Sequence, residues 1–228
     1  MAFGPIMRLK VGELSIELAP LTKESMGEFI SQENNGGMQQ YEVHRYLGRN
    51  TAPVLEDEQD WFEKTRTAKD TLVWGIWVVD GESRTLIGNT AIVGIGSGDT
   101  GFIRQAETAS MIFRQDYWGR GIASAIHKAR TWFAFQQLGL HRLKSFVLQP
   151  NTASRRALER TGYIVTHTKR NDVYSNGKLL HLDCLECLNP LDLFWSQWWH
   201  DDTPPDASLE ARKVTEDIMT WAEKNVTL

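Results

Sequence analysis

Gly119 and Gly121 bracket Arg120 in the stretch Trp118-Gly119-Arg120-Gly121-Ile122-Ala123, just ahead of a run with helical periodicity. A glycine inside a helix costs roughly 1 kcal/mol relative to alanine, so the pair marks a place where the backbone has to stay bare. The first N–H groups of a helix lack partners within it and carry partial positive charge. A turn without side chains lets a phosphate reach those groups, and Arg120 can add a charge-assisted contact. A tight strand-to-helix turn also favours glycine, so spacing alone leaves both readings open. The stretch lacks the G-x-x-x-x-G-K-[ST] pattern of a nucleoside-triphosphate loop. Ser124 stands where a G-x-G-x-x-G fingerprint needs its third glycine.

Other reactive side chains offer less. Cys184 and Cys187 are the two cysteines of the chain. On a strand, residues three apart point to opposite faces, and no second pair exists to complete a zinc site. They read as two reduced thiols, which fits a cytoplasmic protein. The six histidines do not cluster at ligand spacing, so no metal is expected. The formal charge of −4 argues against binding nucleic acid through bulk charge. No run reaches the ~20 apolar residues of a membrane span. The first residues do not follow the basic-then-apolar order of a secretory signal.

The elements that must position the glycine turn are legible from periodicity. A strand is expected over 15–22 and a helical stretch over 24–32, followed by a loop at 34–40. Residues 55–70 open with acids and close with bases, the order a helix dipole favours. Residues 71–96 read as two strands joined by Asp80-Gly81-Glu82-Ser83, and 107–114 as another strand. Apolar Ile122, Ala125, Ile126, Ala129 and Phe133 mark one buried face of a helix reaching about Leu138. A strand follows at 142–149, then a helix over 151–163 capped by Asn151 and stopped by Gly162. Two strands over 163–188 close the set. The order is that of a mixed α/β fold with one central βαβ crossover. Residues 189–228 are treated as a C-terminal extension, aromatic first and then an amphipathic helix.

The segment 112–164 resembles the acetyl-CoA-binding core of the GNAT N-acetyltransferases. It is most similar to the branch that acetylates ribosomal-protein N-termini and related small amines. The likeness rests on Y-W-G-R-G-I-A, on F-x-x-x-x-L-G-L-H-R at the helix end, and on N-x-x-S-x-R-x-L-E-R-x-G-Y. A looser match covers 14–188. Asp116 departs from the Gln or Arg that many members carry three residues before the first glycine.

The resemblance implies a sheet in which two parallel strands, 107–114 and 142–149, splay apart around acetyl-pantetheine. It implies backbone contacts to pantetheine around Met111, Ile112 and Phe113. It assigns the pyrophosphate to Gly119, Arg120, Gly121, Ile122 and Ala123, and the thiol arm to Asn151 and Ser154. The implied reaction is acetyl transfer from acetyl-CoA directly to a primary amine of a protein N-terminus or small molecule, without metal. Glu107 is the first candidate for general base, against a role in substrate binding or strand capping. Ser154 is the candidate proton donor to the thiolate, against a hydrogen bond in the first helical turn. Tyr163 is expected in the core and His141 in a structural role. The alternative is a CoA-binding regulatory or interaction module that has lost turnover.

The early loop and the aromatic tail are expected to shape the acceptor site. His44 is one candidate to line it. Trp195, Trp198 and Trp199 are spaced to share a helical face. They read either as a plug packed on the core or on a second subunit of a homodimer, or, through Trp198 and Trp199, as a wall for a cationic amine.

Overall fold

The computed structural model describes residues 2–47, 51–97, 103–175 and 177–228. Alternation of apolar and polar residues in Met7-Arg8-Leu9-Lys10-Val11 produces β1 (Met7–Val11), an element absent from the sequence expectation. It pairs with β2 (Leu14–Ala19), and its outer edge is bridged by Thr227 from the far end of the chain. The helix expected over 24–32 is instead a 3-10 turn at 24–29 and a second at 32–34. Ser25 and Thr22 exchange hydrogen bonds there (Ser25 Oγ to Thr22 O, 2.7 Å), which favours a local turn over α-helix. A short helix α1 (Tyr41–His44) precedes α2 (Leu55–Thr67).

β3 (Leu72–Asp80) and β4 (Ser83–Ser97) form the expected hairpin, and β5 (Arg104–Ile112) pairs antiparallel with β4. Helix α3 (Ile122–Trp132) runs on into a π-helical turn, Phe133–Gln137, so the helical segment ends close to the expected Leu138. Then come β6 (Arg142–Leu148), α4 (Thr152–Glu159), β7 (Ile164–Ser175) and β8 (Lys178–Leu188). The eight strands lie in the order β1-β2-β3-β4-β5-β6-β8-β7. Every neighbouring pair is antiparallel except β5 and β6, which α3 joins as the βαβ crossover.

The sheet separates two apolar cores. One holds Ile126 and Ala129 of α3 and Phe133 of the π-helical turn against Ile76, Ile92, Ala106 and Leu143. The other packs Met26, Phe29 and Val43 against Val73, Leu86, Ala91 and Phe113. Two helices follow the sheet, α5 (Asp192–Trp199) and α6 (Asp206–Asn225). Through Ala222, α6 joins the first core. No helix among the described residues is long and apolar enough to cross a membrane.

Gly162 shows how tightly α6 is docked. Its φ is +80°, and a Cβ there would lie 2.0 Å from Thr215 Oγ1 and 3.0 Å from Ala211 O, both on α6. Gly162→Ala is therefore expected to lower stability by about 2–4 kcal/mol, combining left-handed backbone cost with overpacking. In a Thr215→Ala background the same change should cost less. Urea unfolding of the four proteins measures both effects.

Candidate active site

β5 and β6 are paired only at Gln105/Arg142, Ala106/Leu143 and Glu107/Lys144. Beyond that vertex they part. β5 keeps its ladder with β4 as far as Ile112, and β6 keeps its ladder with β8 as far as Leu148. Side chains take over at the vertex: Thr108 Oγ1 donates to Lys144 O (3.2 Å) and Ser145 Oγ to Thr108 O (3.3 Å). Close approach of β4 steadies the other edge of β5, since a Cβ on Gly88 would lie 2.0 Å from Met111 O.

The main-chain groups of successive strand residues point to opposite edges. The Phe113 N–H donates to Ile87 O at 3.0 Å, which turns Phe113, and by alternation Met111, toward β4. Thr108, Ser110 and Ile112 face the gap, and Ile112 O accepts from the Trp118 indole (2.8 Å). Of the expected trio, Ile112 alone offers its main chain to the gap. Ser110 is the second residue that does so beyond the pairing, and only the pleat reveals it.

The chain then makes a 3-10 turn at 115–117 and reaches Gly119 and Gly121, with φ of +75° and +80°. A Cβ at Gly119 would meet nothing within 4 Å. The first capping bond of α3 runs from Ala125 N–H to Gly121 O (3.1 Å). Among the described residues, no main-chain or side-chain acceptor is in place for the N–H groups of Gly119 through Ser124. The result is an open row of amides at a helix N-terminus, the arrangement that holds phosphate.

Asp116 does not carry its negative charge free into this row. Arg114 Nε and Nη2 grip it at 3.1 and 3.0 Å, and this bonding holds its carboxyl below the usual range. Arg114 Nη1 also donates to Asn34 Oδ1 (2.6 Å), and Gln115 Nε2 to Gln40 Oε1 (2.6 Å). These bonds brace the glycine turn against the early loop. Arg120 lies over the Tyr117 ring at 5.3 Å.

Across the open end of the gap, at the end of β6, Asn151 Oδ1 accepts from Ser154 N–H (3.2 Å), so Asn151 caps α4. Buried Asp183 anchors that end. It accepts from Thr168 Oγ1 (2.8 Å), Arg155 Nη1 (2.9 Å) and Gln149 Nε2 (3.0 Å). Burial pushes its carboxyl up, but these bonds outweigh it and hold it below the usual range.

Glu107 stands at the vertex, exposed, on the sheet face opposite α3. Ser154 stands beyond the C-terminal end of β6, so the two flank the gap from opposite ends rather than meeting. His44 meets Tyr41 edge-on at 5.8 Å, and its Nδ1 is buried with no partner among the described residues. Two residues on, the Tyr46 hydroxyl reaches Pro150 O (3.5 Å), so this segment spans the open end of the gap. The tryptophans do not present one shared face. Trp195 lies against Trp199 (5.7 Å) and under Arg212 (4.9 Å), while Trp198 lies under Arg142 (5.2 Å). The protein's own guanidinium groups thus occupy ring faces of Trp195 and Trp198. His141 packs on Phe194 at 4.7 Å. Tyr163 is buried in the core. A groove of about 440 Å³ lined by Arg8, Lys10, Glu17 and Lys224 lies at the β1 edge, away from the gap. Among the described residues, no cluster of three His, Cys, Asp or Glu is placed to hold a metal.

A family model for the acetyltransferase (GNAT) domain matches residues 16–164, well over half of the chain. The chain belongs to the GNAT acetyltransferase family. Solved structures share the fold at low identity. Spermidine N-acetyltransferase from Vibrio cholerae, in complex with CoA and spermine, is 17% identical with a TM-score of 0.65, covering 76% of this chain and 95% of that one. Mycobacterium smegmatis RimJ, in complex with CoA-disulfide, is 16% identical with a TM-score of 0.63, covering 93% of each chain. A putative acetyltransferase from T. thermophilus is 19% identical with a TM-score of 0.64, covering 97% of this chain and 99% of that one.

In this acetyltransferase, Asp183→Asn is expected to cost about 1–3 kcal/mol at neutral pH, because it unbalances a buried hydrogen-bonded charge. A carboxyl whose folded pKa is depressed gives stability that is present above its unfolded pKa of about 3.9 and lost as pH falls through the folded value. The gap in melting temperature between Asp183→Asn and the unsubstituted protein should therefore narrow from pH 6 to pH 3.

Proposed function

We propose that this acetyltransferase moves an acetyl group from acetyl-CoA directly to a primary amine, with both substrates bound together. The acceptor is a peptide N-terminus or a small-molecule amine. The observation that carries the reading is the open row of amides from Gly119 to Ser124, continuous with the gap between β5 and β6.

Gly119, Arg120, Gly121, Ile122 and Ala123 hold the pyrophosphate in this reading. The gap-facing main chains of Ser110 and Ile112 hold pantetheine. Met111 and Phe113 contribute by packing that strand rather than by main-chain contact. Asn151 fixes the N-terminus of α4 and, with Ser154, stands near the thiol arm. Acetyl-CoA supplies the activated thioester when bound. An attacking amine must be neutral, whereas a free α-amine has a pKa of about 8 and a lysine about 10. Glu107, exposed at the vertex, takes the surplus proton in this reading, directly or through water. The Ser154 hydroxyl is the candidate donor to the departing thiolate. The segment around His44 and the Trp198 region bound the space where an acceptor enters.

Calorimetry with CoA tests the first half, and release of free thiol from acetyl-CoA over a panel of amines tests the second. Binding and turnover are both expected. Tight binding with no thiol release over peptides, amino acids and polyamines would instead mark a CoA-binding module. Glu107→Gln should lower kcat by about 10²–10⁴-fold, the range for loss of a general base, and leave affinity for CoA unchanged. An unchanged kcat would reduce Glu107 to a substrate or strand contact.

A further inference from the structure

Arg130, on α3, is fully buried. Its Nη1 donates to Thr90 Oγ1 and to Ala109 O, both at 2.8 Å, and its Nη2 lies 2.9 Å from His127 Nδ1. Its Nε is buried with no hydrogen-bond partner among the described residues. None of the ion pairs among the described residues includes it. A buried cation with neutral partners only is costly to keep. A structural brace to Thr90 and Ala109 does not need the charge.

The titratable neighbours do not cancel it. Burial, and then the charge of Arg130 itself, push the His127 imidazole well below its usual range, so that ring is neutral and its Nδ1 accepts. Burial raises Tyr163, which lies beside the guanidinium, and pushes Cys187 of β8 up to about 12. Glu107 and Lys144 lie at the vertex on the opposite face of the sheet. The cation is nevertheless next to the vertex, because the Tyr163 hydroxyl meets Thr108 Oγ1 at 3.3 Å and Thr108 in turn bonds Lys144 O.

We propose that Arg130 provides a fixed positive field behind β5 that stabilises the thiolate of CoA in the gap without touching it. This rests on the reading that CoA occupies the gap. As the amine nitrogen bonds to the carbonyl carbon, the carbon–sulfur bond breaks and its electron pair stays on sulfur. CoA is expelled as the thiolate, which Ser154 then protonates, and the proton shed by the amine passes to the base. A preformed charge near the developing anion lowers the energy of that step without reorganisation. Arg130 is thus a positioning residue for charge, set apart from the groups that contact substrate.

The test is a titration of CoA bound to the full chain, following the short-wavelength ultraviolet band of the thiolate against pH. The complex with desulfo-CoA serves as reference and cancels Cys184, Cys187 and the tyrosines. The bound thiol is expected to ionise at least about tenfold more readily than free CoA, one pH unit. Arg130→Met, or Arg130→Gln if that variant does not fold, should remove most of that shift and leave desulfo-CoA affinity unchanged. A bound thiol that titrates like free CoA in the unsubstituted protein overturns the proposal, with no variant needed. So does a folded variant that keeps the full shift. Failure of CoA to bind at all overturns the proposed function itself, a separate result.

Discussion

The parting of β5 from β6 after Glu107 and Lys144 is the constraint on which the rest depends. Buried main-chain groups need partners, and this sheet withholds them along one edge of each strand. The strands can afford it because each stays laddered on its outer edge, β5 to β4 and β6 to β8. Thr108 and Ser145 close the vertex with side-chain bonds, and Trp118 holds Ile112 O. What remains open is a slot whose lining is backbone. Such a slot offers main-chain donors and acceptors whatever the side chains around it.

Electrostatics reinforce the slot in a chain whose formal charge is −4. Bare amides at the α3 N-terminus face one end of it. Asp116, the acid nearest those amides in sequence, is tied by two bonds to Arg114 and so does not repel an incoming phosphate. Buried Arg130 stands behind the vertex, in none of the ion pairs among the described residues. Glu107 stands exposed on the opposite face of the sheet from Arg130. Helix α6 and Thr215 lock the turn at Gly162, and Asp183 locks the base of α4.

Much of this was legible in the sequence. The glycine turn, α3, the β3–β4 hairpin and the Asn151 cap each rest on local chemistry, and local chemistry decided them. β1 lies outside the sequence expectation although Met7 to Val11 alternate strictly, because five alternating residues are a short signal without the pairing partners that the tertiary fold supplies. The helix expected at 24–32 lost to the competing Ser25–Thr22 bonds. The resemblance implies backbone contacts around Met111, Ile112 and Phe113, while the pleat turns alternate residues to opposite edges and sets Ser110 beside Ile112 on the gap side. The spacing of Trp195, Trp198 and Trp199 was right for a helix but could not show that Arg212 and Arg142 would cover two of the rings. Arg130 and His127 fall outside the apolar stripe of α3, where polar residues suggest solvent. Only the tertiary fold shows both of them buried.

The central claim is that main-chain amides of the slot, rather than side chains, receive CoA. Amide proton–nitrogen correlation spectra of the labelled protein, recorded with and without CoA, address it most directly. The account predicts that the signals of Gly119, Gly121, Ile122, Ala123, Ser110 and Ile112 move most and that their hydrogen exchange slows. CoA binding that leaves those amides unmoved and perturbs another surface would contradict it.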